Sequence, residues 1–260
     1  MKIREIIDAL ECFAPLPLQE SFDNAGLQVG LTEAEVSGAL LCLDVTEKVV
    51  DEAAALGCNL IVSHHPLLFK GLKCISGANY VQRTVMKAIQ KGITVVSMHT
   101  NYDNAMNGVN YKIARKIGLH NVTFLGDEAQ KAGHGSGVVG QLDEPMAAKD
   151  FINMVKSVLN ADDASCNQLL RRKISSVALC GGAGSFLLDE AVKCKADAFI
   201  TGEMHYHEYF GHEQEIQIVV VGHYESEQYT NEIFRSVIAK AYPDVKTYLT
   251  KTNTNPIIHL

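Results

Sequence analysis

Short apolar runs of strand length punctuate this chain, with helical periods between them. Residues 39–65 read ALLCLDVTEKVVDEAAALGCNLIVSHH, and residues 177–203 read VALCGGAGSFLLDEAVKCKADAFITGE. Each stretch opens on an apolar run, passes through an amphipathic helical period and closes on a second apolar run, which predicts strand, helix, strand. At a constant offset of 138, Cys42 answers Cys180, Asp51-Glu52-Ala53 answers Asp189-Glu190-Ala191, Asn59 answers Asp197 and Ser63 answers Thr201. Such units make right-handed parallel crossovers. A second echo lies downstream of each. Ile93-Thr94-Val95-Val96-Ser97-Met98-His99 resembles Gln217-Ile218-Val219-Val220-Val221-Gly222-His223, and at an offset of 124 His99 answers His223 and Asp103 answers Glu227.

The pattern predicts an α/β protein of two similar lobes related by a pseudo-twofold, each a mostly parallel or mixed sheet flanked by helices. Residues 109–119 read as a helix, and the boundary falls near 121–131. Gly133-His134-Gly135-Ser136-Gly137 reads as a turn or loop opening the second lobe. Residues 229–241 read as a helix and 246–251 as a final strand, with the tail returning to the first lobe. The expected division is 1–125 with 226–260, and 126–225.

Composition narrows the function. Of 260 residues, 47% are apolar, enough for a sizeable core, and the formal net charge is −7. That charge argues against a general electrostatic grip on nucleic acid, which needs a basic face. The seven cysteines are odd in number and form no Cys-x-x-Cys, so thiols in a reducing compartment are expected. The first residues read as an amphipathic helix and not a secretion signal. No apolar run reaches membrane-spanning length. The expectation is a cytoplasmic protein away from membranes.

The chemistry gathers at predicted strand ends. Asn59-Leu60-Ile61-Val62 reads as a buried strand, and Ser63-His64-His65-Pro66 follows it. Ligands of open α/β sheets bind outside the carboxyl ends of strands. Adjacent residues on a regular strand point to opposite faces. Two histidines there share one ion only if the chain turns, as Pro66 favours, or else hold one ion each. His64, His65, His99, Asp103, His223 and Glu227 form a set of imidazoles and acids suited to zinc, iron, manganese or nickel. Asp103 is a candidate to bridge two ions. Thr201-Gly202-Glu203-Met204-His205 is the second lobe's counterpart of the His-His corner, and Glu203, His99 or His205 could move protons. Gly181-Gly182-Ala183-Gly184-Ser185 reads either as a phosphate cradle or as a tight turn. Asp23-Asn24 reads as a turn leading into a short strand.

The segments Asp23-Asn24-Ala25-Gly26-Leu27-Gln28-Val29-Gly30, Ser63-His64-His65-Pro66 and His99-Thr100-Asn101-Tyr102-Asp103 resemble the Nif-three-like family. Its members are often called GTP cyclohydrolase 1 type 2 homologs. Gly181-Gly182-Ala183-Gly184, Thr201-Gly202-Glu203 and Gly222-His223-Tyr224-Glu225-Ser226-Glu227 continue the match across nearly the whole chain. The resemblance implies two divalent metal ions held by His64, His65, Asp103, His223 and Glu227. It further implies assembly into a toroidal hexamer and hydrolysis of a small-molecule substrate, a nucleotide or related heterocycle, by metal-activated water. The alternative is a non-catalytic metal-binding regulatory or scaffold assembly. The chain departs from the family pattern at Glu203, more often Asp, and at Tyr224-Glu225, where a second His and small residues are common.

Overall fold

Parallel strands buried on both faces read as continuous apolar runs, without alternation. Those runs are where the strands form. The computed structural model describes residues 1–258; positions 259 and 260, the end of the predicted first lobe, lie outside the described residues. In chain order the strands are β1 Gly26–Val29, β2 Ala39–Cys42, β3 Leu60–Ser63, β4 Thr94–Ser97, β5 His120–Phe124, β6 Val138–Met146, β7 Ser165–Cys166, β8 Ile174–Cys180, β9 Ala198–Thr201, β10 Gln217–Val220 and β11 Thr247–Leu249. The helices are α1 Ile3–Phe13, α2 Glu47–Ala55, α3 Tyr80–Lys91, α4 Thr100–Asp103, α5 Val109–Ile117, α6 Asp127–Ala132, α7 Ala148–Leu159, α8 Leu188–Lys193, α9 His223–Glu227 and α10 Thr230–Ala241. Cap chemistry fits: Thr46 and Asn79 accept from backbone N–H groups at the starts of α2 and α3, and Gly92 closes α3 in the left-handed region.

The chain divides into two compact units. The first comprises Met1–Tyr102 with Thr230–Pro256, and the second comprises Asp103–Tyr229 with the residues from Ile257. The first unit's sheet runs β1-β4-β3-β2-β11. Its strands are parallel except β1, which pairs antiparallel with β4. The second unit's sheet runs β5-β6-β8-β9-β10-β7, with β8, β9 and β10 parallel and the others antiparallel. The architecture is therefore mixed α/β, two sheets flanked by helices. The antiparallel strands β5, β6 and β7 carry weaker apolar patterns; β6 alternates over its first residues, and β7 is a two-residue exposed edge.

The internal repeat holds at the level of register. Ala39 pairs with Leu60 and Cys42 with Ser63, while Val177 pairs with Ala198 and Cys180 with Thr201, an offset of 138 at each position. A side-chain device repeats with it. Asn59 Oδ1 accepts from the N–H of Ser37 at 2.9 Å, and Asp197 Oδ2 accepts from the N–H of Ser175 at 3.0 Å. The third strand does not keep the histidines' offset of 124. Leu60 pairs with Thr94 and Ala198 with Gln217, which sets 94 against 217, an offset of 123. The extra residue is Gly222, at φ +102°. It shifts the histidine by one place: His223 is the first residue of α9, whereas His99 stands one residue ahead of α4.

Each core is centred on the same three strand positions. In the first unit these are Leu40, Ile61 and Val95, packed with Val49, Val50 and Ala53 of α2 and with Val85 and Ala88 of α3. In the second unit they are Ala178, Phe199 and Ile218, with Leu188 and Ala191 of α8. A small residue beside a large one replaces two of middle size.

Candidate metal centre

In the first unit, β3 ends and the chain curls without leaving the ladder. The N–H of His64 donates to Cys42 O and that of His65 to Leu43 O, at 3.2 and 2.9 Å. The carbonyl of His65 accepts from the hydroxyls of Ser63 and Ser97, at 2.9 and 3.2 Å. This breaks the strand's alternation, so both imidazoles lie together, ring centroids 5.0 Å apart. His99 follows β4, the neighbouring strand, and its ring lies 5.2 Å from that of His64 and 5.5 Å from that of His65. One nitrogen from each of the three rings lies within 4.8 Å of the others.

What holds the rings decides which nitrogen they present. His64 is fully buried, and its Nδ1 lies 2.9 Å from Met98 O. A carbonyl only accepts, so Nδ1 carries the proton and Nε2 the lone pair. His65 Nδ1 lies 2.7 Å from Asp44 Oδ1; Asp44 Oδ2 accepts from Thr254 Oγ1 at 2.6 Å. His99 Nδ1 lies 2.7 Å from Asp23 Oδ1, while Asp23 Oδ2 accepts from the N–H of Thr100 at 3.1 Å and from its hydroxyl. Burial alone would raise the pKa of Asp23, but its bonds to His99, Thr100 and the N–H of Asn24 outweigh burial and hold it at about 2. Asp44 is likewise held below its ordinary value, because the His65 and Thr254 bonds outweigh burial. Both aspartates are therefore ionised acceptors at neutral pH, and each fixes its histidine as the Nδ1–H tautomer. Backing a ring nitrogen this way orients an imidazole and raises its basicity as a metal ligand.

In the second unit the donors come from two short helices, α4 and α9. Helix α9 opens on His223 and ends on Glu227, a spacing that puts both on one helix face. His223 Nε2 lies 3.0 Å from Glu227 Oε2, and Nδ1 lies 2.8 Å from Glu203 Oε1. A neutral imidazole carries one N–H and can donate to only one of these two acceptors. Its second nitrogen then shares a place with a buried carboxylate, which a cation would satisfy. Asp103, the last residue of α4, offers a carboxylate oxygen within 4.8 Å of one from Glu227. Burial, and then the charges of Asp103 and Glu227, push the thiol of Cys180 well up.

The glycine loop after β8 serves this arrangement. A Cβ on Gly182, which sits at φ +59°, would meet Glu227 Oε1 at 2.2 Å and His223 Nε2 at 3.3 Å. A Cβ on Gly202 would meet Gly182 O at 2.7 Å and Ser226 Oγ at 2.8 Å. The loop's amides are already used: Gly181 donates to Asn110 Oδ1, Gly182 to Ser226 Oγ and Gly184 to Thr201 Oγ1. These bonds support the tight-turn reading and engage three of the amides that a phosphate cradle would use.

The structure thus gathers His64, His65 and His99 in one unit, and Asp103, His223 and Glu227 in the other with Glu203 behind His223. His205 joins neither group among the described residues. It is exposed, at the start of the three-ten turn Tyr206–Tyr209, where its N–H donates to Glu208 Oε2 at 2.6 Å. Sequence reasoning missed Asp44 altogether and read Asp23 only as part of a turn. The one available signal for Asp44 was its place two residues beyond β2, at a strand end like the other site residues.

Residues 1–256 match the family model for Duf34/NIF3 (NGG1p interacting factor 3). The chain belongs to the Duf34/NIF3 family. A family relative from Clostridium perfringens, called GTP cyclohydrolase 1 type 2 homolog, is 34% identical over 228 residues, 87% of each chain. One of the same name from Lactococcus lactis is 32% identical over 263 residues, 98% of each chain. Among solved structures, the Staphylococcus aureus protein SA1388 superposes with a TM-score of 0.91 at 28% identity, covering 100% of this chain and 99% of its own. No helix among the described residues of this Duf34/NIF3 protein is long and apolar enough to cross a membrane.

Proposed function

We propose that this Duf34/NIF3 protein is a divalent-metal hydrolase whose ligands are His64, His65, Asp103, His223 and Glu227. One observation carries the reading. Every imidazole in the set, and His99 beside them, has its Nδ1 engaged by a carbonyl or carboxylate. Ring nitrogens backed this uniformly match the way histidine ligands are oriented for metals. The accompanying oxygens come from carboxylates, and a nitrogen-plus-carboxylate set accepts zinc, iron, manganese or nickel. Two such ions, when bound, would acidify a water and stabilise a developing oxyanion.

The chain's own groups then divide the work. His64 and His65 hold their rings fixed through Met98 O and Asp44. Glu203 orients His223. His99, steadied by ionised Asp23, takes up or releases a proton at Nε2. The relatives' name directs the first assays to ring hydrolysis of GTP, followed by other nucleotides and phosphoesters. We propose a toroidal hexamer as the working form, which light scattering after size exclusion would check.

Elemental analysis beside turnover tests the reading. The wild type should hold close to two divalent ions per chain and consume a nucleotide or related heterocycle. Asp103→Ala and Glu227→Ala should each lose at least half the bound metal and turn over at least tenfold more slowly, with unchanged circular dichroism. Metal content unchanged in both variants would remove the ligand assignment. A metal-replete protein inert across the whole panel would leave metal binding without catalysis.

A further inference from the structure

Phe22 and Phe69 are large apolar side chains left in water by the first unit, 65% and 46% exposed. They lie together, ring centroids 6.5 Å apart at 62°. Phe69 continues the row to His99, 6.2 Å away at 88°. The backbone beneath them is tied down. Asp23, next to Phe22, holds His99 and Thr100. Asn24 Nδ2 donates to Leu68 O at 2.8 Å, the N–H of Leu68 donates to Gln28 Oε1 at 3.0 Å, and Gln28 Nε2 returns to Asn24 O at 2.7 Å. Leu67 is buried. A single hydrogen-bonded frame therefore presents two exposed rings and the proton-carrying imidazole.

We propose that Phe22 and Phe69 form a stacking platform for a planar aromatic heterocycle of the nucleobase class, seating its ring beside His99. The proposal rests on the hydrolase reading of the His99 side, and it adds to that reading the residues that would seat the heterocycle. Neighbouring apolar rings held in water mark a binding surface. Rings set edge to face make a corner, against which a flat ligand stacks on one ring and meets the edge of the other. Two side chains offer far less than the roughly 800 Å² that a stable protein interface buries per partner. Base-on-aromatic stacking needs no such area.

The test measures binding of guanosine, uridine and ribose 5-phosphate to the metal-loaded full chain by calorimetry, with elemental analysis of each variant. Phe69→Ala should weaken guanosine binding about tenfold or more, and Phe22→Ala by less. Ribose 5-phosphate affinity and bound metal should stay unchanged in both, and Phe69→Tyr should keep guanosine binding. Guanosine binding equally well to wild type and Phe69→Ala overturns the platform, as does wild type binding neither nucleoside. A change of oligomeric state in Phe22→Ala or Phe69→Ala with guanosine affinity intact also overturns it, because the rings would then be a contact between copies of the chain. Failure of the metal reading shows separately, as absent metal in the wild type, while the nucleoside comparison still reads the platform directly.

Discussion

The two units use one frame for opposite chemistry. At the corner after the second repeat strand, the first unit has His65 and the second has Glu203, 138 positions later. One corner supplies an imidazole, whereas the other supplies the carboxylate that backs an imidazole. After the first repeat strand the pair is Asp44 and Gly182. Asp44 backs His65, while Gly182 has no side chain, because the carboxylate of Glu227 fills that space. The result is a nitrogen-rich cluster in one unit and an oxygen-rich cluster in the other, on matching registers. Strand order fixes where side chains converge, and the side chains at those positions can trade roles between ligand, support and empty space.

The comparison can be broken first in the cores. Phe199 and Ile61 occupy equivalent, fully buried positions. Phe199→Ala should cost about 3–5 kcal/mol and Ile61→Ala about 2–4 kcal/mol. The larger loss is expected in the second unit, since Ala178 beside Phe199 cannot fill the hole. Urea unfolding of both variants checks the order, and equal losses would mean the cores are less distinct than their packing.

The supports come next. Asp44→Ala and Glu203→Ala should each weaken metal binding by about 10–100-fold, the usual effect of removing a partner behind a histidine ligand. Metal titration followed by calorimetry would show it. An effect of Asp44→Ala alone would mean that Glu203, with its side chain more than half exposed, leaves His223 to orient itself. Gly182→Ala sharpens the same contrast. It should cost about 1 kcal/mol from the left-handed backbone and displace the Glu227 carboxylate, so metal affinity falls while thermal stability changes little.

The smallest effect concerns acid. Glu52 accepts from Thr250, Lys251 and Thr252, whereas its counterpart Glu190 pairs with exposed Lys193. Burial would raise the pKa of Glu52, but those hydrogen bonds outweigh it and hold the value down. A depressed folded-state pKa gives stability that is present above the unfolded carboxylate value and lost as pH falls through the folded one. Glu52→Gln should therefore cost about 1 kcal/mol at neutral pH and flatten the fall in stability below about pH 4.3.

Much of this was legible in the chain. The offset of 138 carried the strand register, because buried parallel strands write themselves as apolar runs. The candidate ligands stood out because strand ends collect histidines and acids. Asp44 and Asp23 did not stand out, because a support is chosen by which strand lies beside which, and sequence spacing does not contain the order β4-β3-β2. Gly222 was hidden too, since a repeat aligned on its histidines absorbs an extra residue silently. The antiparallel strands β5, β6 and β7 were missed for want of a strong apolar run.

Strand β11 joins β2 in the first sheet, Thr247 beside Ala39 and Leu249 beside Leu41. During synthesis every residue of the second unit through Tyr229 leaves the ribosome before this strand does. The sheet whose strands emerge first is therefore completed last, and the outer border of β2 stays open meanwhile, able to recruit a stray strand from another nascent chain. Growing chains crowded on one messenger would meet that hazard most, which makes translation speed between Thr230 and Leu249 a lever on yield.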